Sequence, residues 1–217
     1  MSANDDAMET QVTTGLINAA KESAANETTT LIFTSGAFCQ GPTDHLAGED
    51  EATNANCIDF IKFRIPHEEN VINVNSENLH ASAVRPLCIY GGSFVDQYYK
   101  SCKTLGNFLV LHGNNRVSYI HKEDLGEFYK IVLENSGTGF FTASEGLGPT
   151  VDEVIEIAKA VTGVQEVERV DNVWEHMQTY GFYLFEFNAA IGELIFPLPI
   201  NSCGLFIQNI RSERCPL

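Results

Sequence analysis

The chain has 217 residues, of which 44% are hydrophobic and 10% aromatic, and this apolar content suffices for one domain or for one domain with a small lobe. Its 29 acidic residues outnumber the 13 basic ones and give a formal charge of -16, which opposes binding to nucleic acids and to anionic membranes. The sequence has no basic N-terminal patch followed by an apolar segment and no apolar segment of roughly 18 residues, so we expect a cytoplasmic protein.

Cysteine spacing gives no sign of a metal site. The six cysteines stand at positions 39, 57, 88, 102, 203 and 215 and form no C-x-x-C pair. Isolated cysteines in a chain without a secretory signal are usually buried and reduced, and we predict that state for all six.

The first half of the chain alternates between helical and strand patterns. Apolar residues recur at helical spacing from Val12 to Ala20, and the apolar, β-rich segment from Thr28 to Thr34 is typical of a buried strand. A polar loop then leads to a predicted helix over 58–74, in which Pro66 must lie in the first turn or at a kink. The next predicted strand runs from Ala81 to Ile89.

The alternation continues beyond residue 100. Short strands are predicted at Phe108 to Leu111, at Val117 to Ile120 and at Phe140 to Ala143. Between the last two, we expect Asp124 to cap a helix that Gly137 ends.

The clearest predicted helix follows Thr150. Thr150 and Glu153 have the spacing of a capping box, and Gly163 stands where the helix should end. Beyond Asn188 the apolar segments are interrupted by prolines and glycine, and no element is predicted there. The alternation of helices and strands predicts an α/β fold.

Several motifs occur together and in a fixed order along the chain. They are Val12 to Ala20 followed by Leu31-Ile32-Phe33-Thr34-Ser35, the loop glycine Gly41, the trio Arg64, Glu68 and Val71, the strand and turn from Val84 to Gly91, and the segment Tyr119 to Leu125. This set resembles the extended short-chain dehydrogenase/reductases, the NAD-dependent epimerase/dehydratase group. The resemblance implies a partial Rossmann-like, doubly wound and mostly parallel sheet over 1–90, a small substrate-type lobe with a returning strand over 91–187, and an unassigned tail over 188–217.

The resemblance also assigns catalytic positions, and these are altered here. Phe60 takes the position of the family's acid/base tyrosine, Arg64 that of its lysine, and Gly36 that of its serine or threonine, with Ser35 adjacent. A phenylalanine ring cannot transfer a proton. Ser35 and Arg64 are therefore the remaining catalytic candidates, and the altered positions favour a protein without independent catalytic activity.

The cofactor implied by the resemblance is NAD or NADP. Its candidate ligands are Thr34, Ser35, Arg64, Pro86, Leu87 and Cys88. The Gly-rich turn that binds the pyrophosphate in Rossmann folds is absent from the sequence, because neither G-x-G-x-x-G nor G-x-x-G-x-x-G occurs in it. Cofactor binding by this chain alone is therefore doubtful, and an active enzyme on a small carbonyl or sugar substrate would need a partner to supply the missing half.

Each candidate also has a structural alternative. Thr34 and Ser35 could simply hydrogen-bond the turn after their strand, and Arg64 could form a surface pair with Glu68 four residues later. The family's sugar-phosphate arginine falls on Val117, with Arg116 one residue out of register. The functional alternatives are thus a non-catalytic relative, an active enzyme completed by a partner, and a truncated gene product.

The missing half has a further consequence for the sheet. If the strand order of the family applies, the strand at Thr28 to Thr34 loses one neighbour and leaves an apolar edge open. Such an edge tends to recruit another strand. We therefore predict a homodimer, another chain or the C-terminal tail on this edge, or else poor solubility.

Overall fold

The computed structural model describes residues 3–41, 49, 57, 61–92, 94–111, 115–116 and 118–170. Helices and strands alternate over these residues, as the sequence predicts. The helices are α1 (Ala3–Ala24), α2 (Arg64–Ile72), α3 (Phe94–Leu105), α4 (Lys122–Glu134) and α5 (Val151–Thr162), and the strands are β1 (Thr29–Thr34), β2 (Leu79–Pro86), β3 (Cys88–Tyr90), β4 (Asn107–Leu111), β5 (Tyr119–His121), β6 (Gly139–Ala143) and β7 (Glu166–Val170).

The main sheet has the order β1-β2-β6, and both of its strand pairs are parallel. Thr29 pairs with Leu79 at one end of β1, and Thr34 pairs with Val84 at the other. Two further parallel pairs, β3 with β5 and β4 with β7, lie outside this sheet. The predicted partial Rossmann-like, mostly parallel α/β fold is confirmed.

Helices cover both faces of the main sheet, which is the doubly wound arrangement. On one face, Ile17 of α1 and Val71 of α2 pack against Ala81 of β2. On the other, Phe128 of α4 packs with Val84 of β2. The odd and even positions of β2 therefore serve two different cores, as expected for a strand buried on both faces.

Helix α1 is longer than predicted and buries a different side. Its buried residues include Thr13, Ile17 and Ala20, whereas Val12 and Leu16, which the helical pattern singled out, are more than half exposed. Two rows of residues therefore run along α1. The row of Thr13, Ile17 and Ala20 faces the sheet, and the row that contains Val12 and Leu16 does not.

The segment predicted as one strand over 81–89 is in fact two. Strand β2 ends at Pro86, and β3 starts at Cys88 in a different pair. Pro86 has no N–H to donate to the ladder. The Leu87 N–H still donates to the Ala143 carbonyl of β6 at 3.1 Å, whereas the Cys88 N–H donates to the Ser118 carbonyl at 3.3 Å, so the chain changes its strand partner between these two residues.

Helix starts supply two more differences. Helix α2 begins at Arg64 and places Pro66 in its first turn, where proline is tolerated. Helix α4 is capped by His121, whose ring accepts from the Glu123 N–H, so the prediction that Asp124 is the cap is wrong. Asp124 lies in the first turn of α4, where its negative charge interacts favourably with the positive end of the helix dipole.

Three elements were not predicted or were only partly predicted. Helix α3 and strand β7 had no prediction, and β5 was expected to start two residues earlier. The tail after Val170 lies outside the described residues, as does Phe60. Within the described part of the chain, no helix combines the length and the hydrophobicity that crossing a membrane requires.

Candidate functional site

The candidate ligands predicted from the sequence gather at one end of the main sheet. Thr34 is the last residue of β1 and Ser35 follows it, and Pro86 is the last residue of β2 and Leu87 follows it. The Ser35 N–H donates to the Val84 carbonyl at 2.8 Å, which extends the ladder one residue past β1. The carboxyl ends of parallel strands are where ligands bind in open α/β sheets.

The hydroxyl groups at this end contact other parts of the protein. Thr34 Oγ1 lies 2.8 Å from the Tyr129 hydroxyl of α4. The Ser35 side chain is buried, and its Oγ lies 3.5 Å from Cys39 Sγ. The Ser35 contact matches the structural alternative, because Cys39 lies in the turn after β1, whereas the Thr34 contact is with α4 and not with that turn. The ligand roles of Thr34 and Ser35 stay predictions.

Arg64 stands at the first position of α2. Its Nε lies 3.3 Å from Glu9 Oε1 of α1, and its guanidinium carbon lies 5.9 Å from the ring centroid of Phe63. The surface pair with Glu68, offered as the alternative for Arg64, is wrong because Glu68 faces the protein interior instead.

Glu68 pairs with Arg85, and both side chains are fully buried. Arg85 Nε donates to Glu68 Oε1 at 2.9 Å and its Nη2 donates to Oε2 at 2.5 Å, which makes the pair bidentate. The Arg85 guanidinium also stacks 4.2 Å from the ring centroid of Phe140. The pair thus ties α2 to β2, and it joins two of the motifs found in the sequence.

Two other motifs meet where β3 pairs with β5. The Tyr90 and His121 rings lie 5.0 Å apart, and Tyr90 pairs with His121 in the strand register. Gly91 follows with φ +88°, and a Cβ on it would lie 2.4 Å from His121 Nε2. The Y-G turn therefore needs glycine for two reasons, the positive φ and the space taken by His121.

Glu145 completes this group, although no sequence pattern indicated it. Its Oε1 accepts from the Tyr90 hydroxyl at 2.8 Å and from the His121 N–H at 3.2 Å. The Glu145 N–H in turn donates to the Tyr119 carbonyl at 2.8 Å. Residues from three chain segments are therefore held together by hydrogen bonds beyond β6.

A groove of about 630 Å³ opens beside this group, between α5 and the segment 145–149. Tyr90, Tyr99 and Tyr119 line it together with apolar residues of α5. Burial raises the pKa of the Tyr99 and Tyr119 hydroxyls, so both stay protonated at neutral pH.

Arg116, the residue one position from the family's sugar-phosphate arginine, hydrogen-bonds to the 145–149 segment. Its Nη1 donates to the Gly148 carbonyl at 2.9 Å and lies 3.6 Å from Glu153 Oε2. Glu153 is also the capping-box carboxylate of α5, and hydrogen bonds from Thr150 lower its pKa. Val117 lies outside the described residues.

The four described cysteines, at positions 39, 57, 88 and 102, are buried, as predicted, and none of them forms a disulfide with another described residue. Burial raises the pKa of Cys39 and of Cys88 to about 12, so both are thiols rather than nucleophilic thiolates at neutral pH. Among the described residues, no three side chains of histidine, cysteine, aspartate or glutamate are grouped so as to hold a metal ion.

No family model matches the chain, and no curated protein matches its sequence. Solved structures do resemble its fold. A dTDP-glucose 4,6-dehydratase from Bacillus anthracis in complex with NAD aligns with a TM-score of 0.60 and 16% identity over 82% of this chain and 64% of that one.

Two further structures give similar values. A UDP-N-acetylglucosamine 4-epimerase from Methanobrevibacter ruminantium in complex with UDP-N-acetylmuramic acid aligns with a TM-score of 0.61 and 11% identity, over 85% of this chain and 63% of that one. A human epimerase family protein, SDR39U1, with NADPH aligns with a TM-score of 0.58 and 14% identity, over 83% and 65%. The chain spans between 63% and 65% of the length of these three proteins and has the fold of the part it matches.

Proposed function

We propose that this protein is a divergent relative of the NAD(P)-dependent epimerases and dehydratases that has no independent catalytic activity. The observation that carries the proposal is the ion pair of Arg64, whose Nε lies 3.3 Å from Glu9 Oε1 of α1, at the position where the resemblance expects a lysine. Phe60 at the tyrosine position adds chemical support, because it has no proton to transfer. The buried Ser35 hydroxyl, engaged with Cys39, supports the same conclusion.

The six candidate cofactor ligands do not fit a tightly held dinucleotide by themselves. The N–H groups of Leu87 and Cys88 donate to the carbonyls of Ala143 and Ser118, at 3.1 and 3.3 Å. The Thr34 hydroxyl contacts Tyr129. A pyrophosphate needs several convergent N–H donors, which a Gly-rich turn at a helix N-terminus normally supplies. NAD or NADP is therefore the cofactor that the family resemblance implies, and we expect this chain alone to bind it weakly.

A titration with NADH and NADPH, followed by nicotinamide fluorescence, tests the proposal. We expect no saturation at micromolar concentrations, and we expect Phe60→Tyr to gain no dehydrogenase activity. Phe63→Tyr, three residues away, is the matched control for adding a hydroxyl in this region. Saturable micromolar binding together with turnover by the natural chain would overturn the proposal.

One observation favours the second candidate, an active oxidoreductase or epimerase completed by a partner chain. Within the described residues β1 pairs with β2 alone, so its other edge is open. The neighbouring helix α1 exposes an apolar stripe of Met8 (61%), Val12 (55%) and Leu16 (52%) at a spacing of four residues. An open edge beside an apolar stripe is the kind of surface that another chain covers.

The oligomeric state in solution tests the second candidate. We expect the natural chain to elute as a dimer or larger, and Val12→Lys/Leu16→Lys to elute as a monomer that unfolds at the same temperature, because both side chains are exposed. Leu133→Lys is the matched control, since Leu133 of α4 is 54% exposed on a different helix. A monodisperse natural monomer would remove the support for a partner at this surface.

A further inference from the structure

We propose that the groove between α5 and the segment 145–149 binds an organic cation with an apolar body. The inference is independent of the nicotinamide cofactor, because none of the candidate cofactor ligands lines this groove. Its volume of about 630 Å³ lies within the range of small-molecule sites. The groove is also a different place from the carboxyl ends of β1 and β2.

The walls of the groove suit the apolar part of such a ligand. Helix α5 contributes Val154, Ile157, Ala158 and Val161, and Leu147 and Pro149 contribute the opposite side. Aliphatic and proline side chains offer no hydrogen bonds, so they favour a hydrocarbon or aryl group and do not reward a sugar ring. The apolar body of the ligand is therefore expected along α5.

The charges around the groove are suited to a cation. Glu145 is the single charged residue among the described residues that line it, and it is a carboxylate. The C-terminal turn of α5, through Thr162, also lines the groove and adds the negative end of a helix dipole. The formal charge of -16 on the whole chain adds attraction for cations over anions.

Two basic side chains next to lining residues do not reverse this sign. Arg116 donates to the Gly148 carbonyl and lies beside Glu153, so its charge is offset by a carboxylate. Lys159 of α5 pairs with Glu156 at 3.0 Å. Neither of these basic residues lines the groove, and a phosphate or carboxylate ligand would meet no basic partner among the lining residues.

Three tyrosine rings give the cation a second kind of partner. Tyr90, Tyr99 and Tyr119 all line the groove, and Tyr90 hydrogen-bonds to Glu145. A cation near the face of an aromatic ring is attracted by the ring's quadrupole, and more strongly when it is shielded from water. Rings and a carboxylate in one place would select an ammonium group over a neutral group of the same size.

The test is calorimetry on the full chain at neutral pH with three matched probes, which are 4-phenylbutylamine, 4-phenylbutanol and 4-phenylbutyrate. We expect the amine to bind at least about tenfold more tightly than the alcohol, which corresponds to about 1.4 kcal/mol, and the carboxylate to show no saturation. Equal affinity of the amine and the alcohol, saturation by the carboxylate, or no binding of any probe would overturn the proposal.

Two variants locate the site. Glu145→Gln keeps a hydrogen-bond acceptor for Tyr90 and removes the charge, so the preference for the amine should fall at least about fivefold while binding of the alcohol is unchanged. Glu127→Gln on α4 is its control.

Val161→Arg adds a positive charge at a position on the rim that is 78% exposed, and it should weaken amine binding without loss of stability. Leu133→Arg is its control. If Glu145→Gln and Val161→Arg both leave the preference for the amine unchanged, the site is not this groove.

Discussion

Removing one member of the buried pair Glu68–Arg85 should destabilise the fold severely. Both side chains are fully buried and joined by two charge-assisted hydrogen bonds, of 2.9 and 2.5 Å. Glu68→Gln keeps the volume of the side chain but leaves the Arg85 guanidinium buried without a counter-charge. Breaking a buried ion pair in this way costs about 3–5 kcal/mol, because the desolvation cost of the remaining charge is no longer offset.

This cost can be measured as a change in melting temperature and in urea midpoint. A change of 1 kcal/mol in the free energy of unfolding shifts the melting temperature by about 2–4 °C in a protein of this size. Glu68→Gln should therefore lower the melting temperature by about 6–20 °C. Circular dichroism in the far ultraviolet is sufficient as the readout. Glu69→Gln is the matched control, since Glu69 is exposed on the same helix and should change stability by less than about 0.5 kcal/mol.

A double substitution separates the charge from the packing. Glu68→Leu/Arg85→Met removes both charges and keeps apolar volume beneath Phe140, where the guanidinium now stacks. Replacing a buried pair in this way is often neutral or stabilising, so the double variant should recover most of the loss. The reasoning fails if Glu68→Gln costs less than about 1 kcal/mol, or if the double variant is as unstable as the single one.

Three further predictions concern a turn, a cap and a thiol. Gly91→Ala should destabilise more than Gly106→Ala, because both have positive φ but only Gly91 has a side chain within 4 Å of the added Cβ; urea denaturation compares them. Thr150→Ala, which breaks the capping box, should cost about 1 kcal/mol, whereas Thr104→Ala inside α3 should cost little; thermal unfolding checks both. Burial raises the pKa of Cys88 from its ordinary 9.0 to about 12, so the unfolded chain loses this proton first and stability should fall as pH rises from 9 to about 12, less steeply in Cys88→Ala.

Helix α5 shows what the sequence can predict. Both of its ends are determined by nearby residues, the capping box at Thr150 and the left-handed Gly163, and both were found where predicted. Its buried residues Val151, Ile155 and Ala158 follow the helical period. Signals of this kind act over a few residues and need no knowledge of the rest of the fold.

Helix α3 shows why other elements were not predicted. Its buried residues include Tyr98 and Cys102, a pair that the hydrophobic period does not reveal because tyrosine is polar at one end. The Tyr98 hydroxyl donates to the Leu109 carbonyl of β4 at 2.8 Å. The burial of Tyr98 therefore depends on a partner from another element, which no local pattern contains.

The candidate site was predictable only in part for the same reason. The sequence motifs identified Tyr90, Gly91 and His121 but not the strand pairing that brings them together. Glu145 belongs to no motif, and its place beside Tyr90 follows from the path of the chain after β6. The break between β2 and β3 likewise depends on which strand each segment pairs with.

The parallel pairing of the strands has a consequence for how the protein folds. Every strand pair in the described part of the chain is parallel, and Thr29 meets Leu79, Ser82 meets Gly139, and Asn107 meets Glu166. Strands this far apart in sequence can pair only after the long chain segment between them has closed into a loop. The entropy cost of closing such loops slows folding. During synthesis β1 must wait for β2, β2 for β6 and β4 for β7, so apolar strand edges stay open to other chains until residue 170 has left the ribosome.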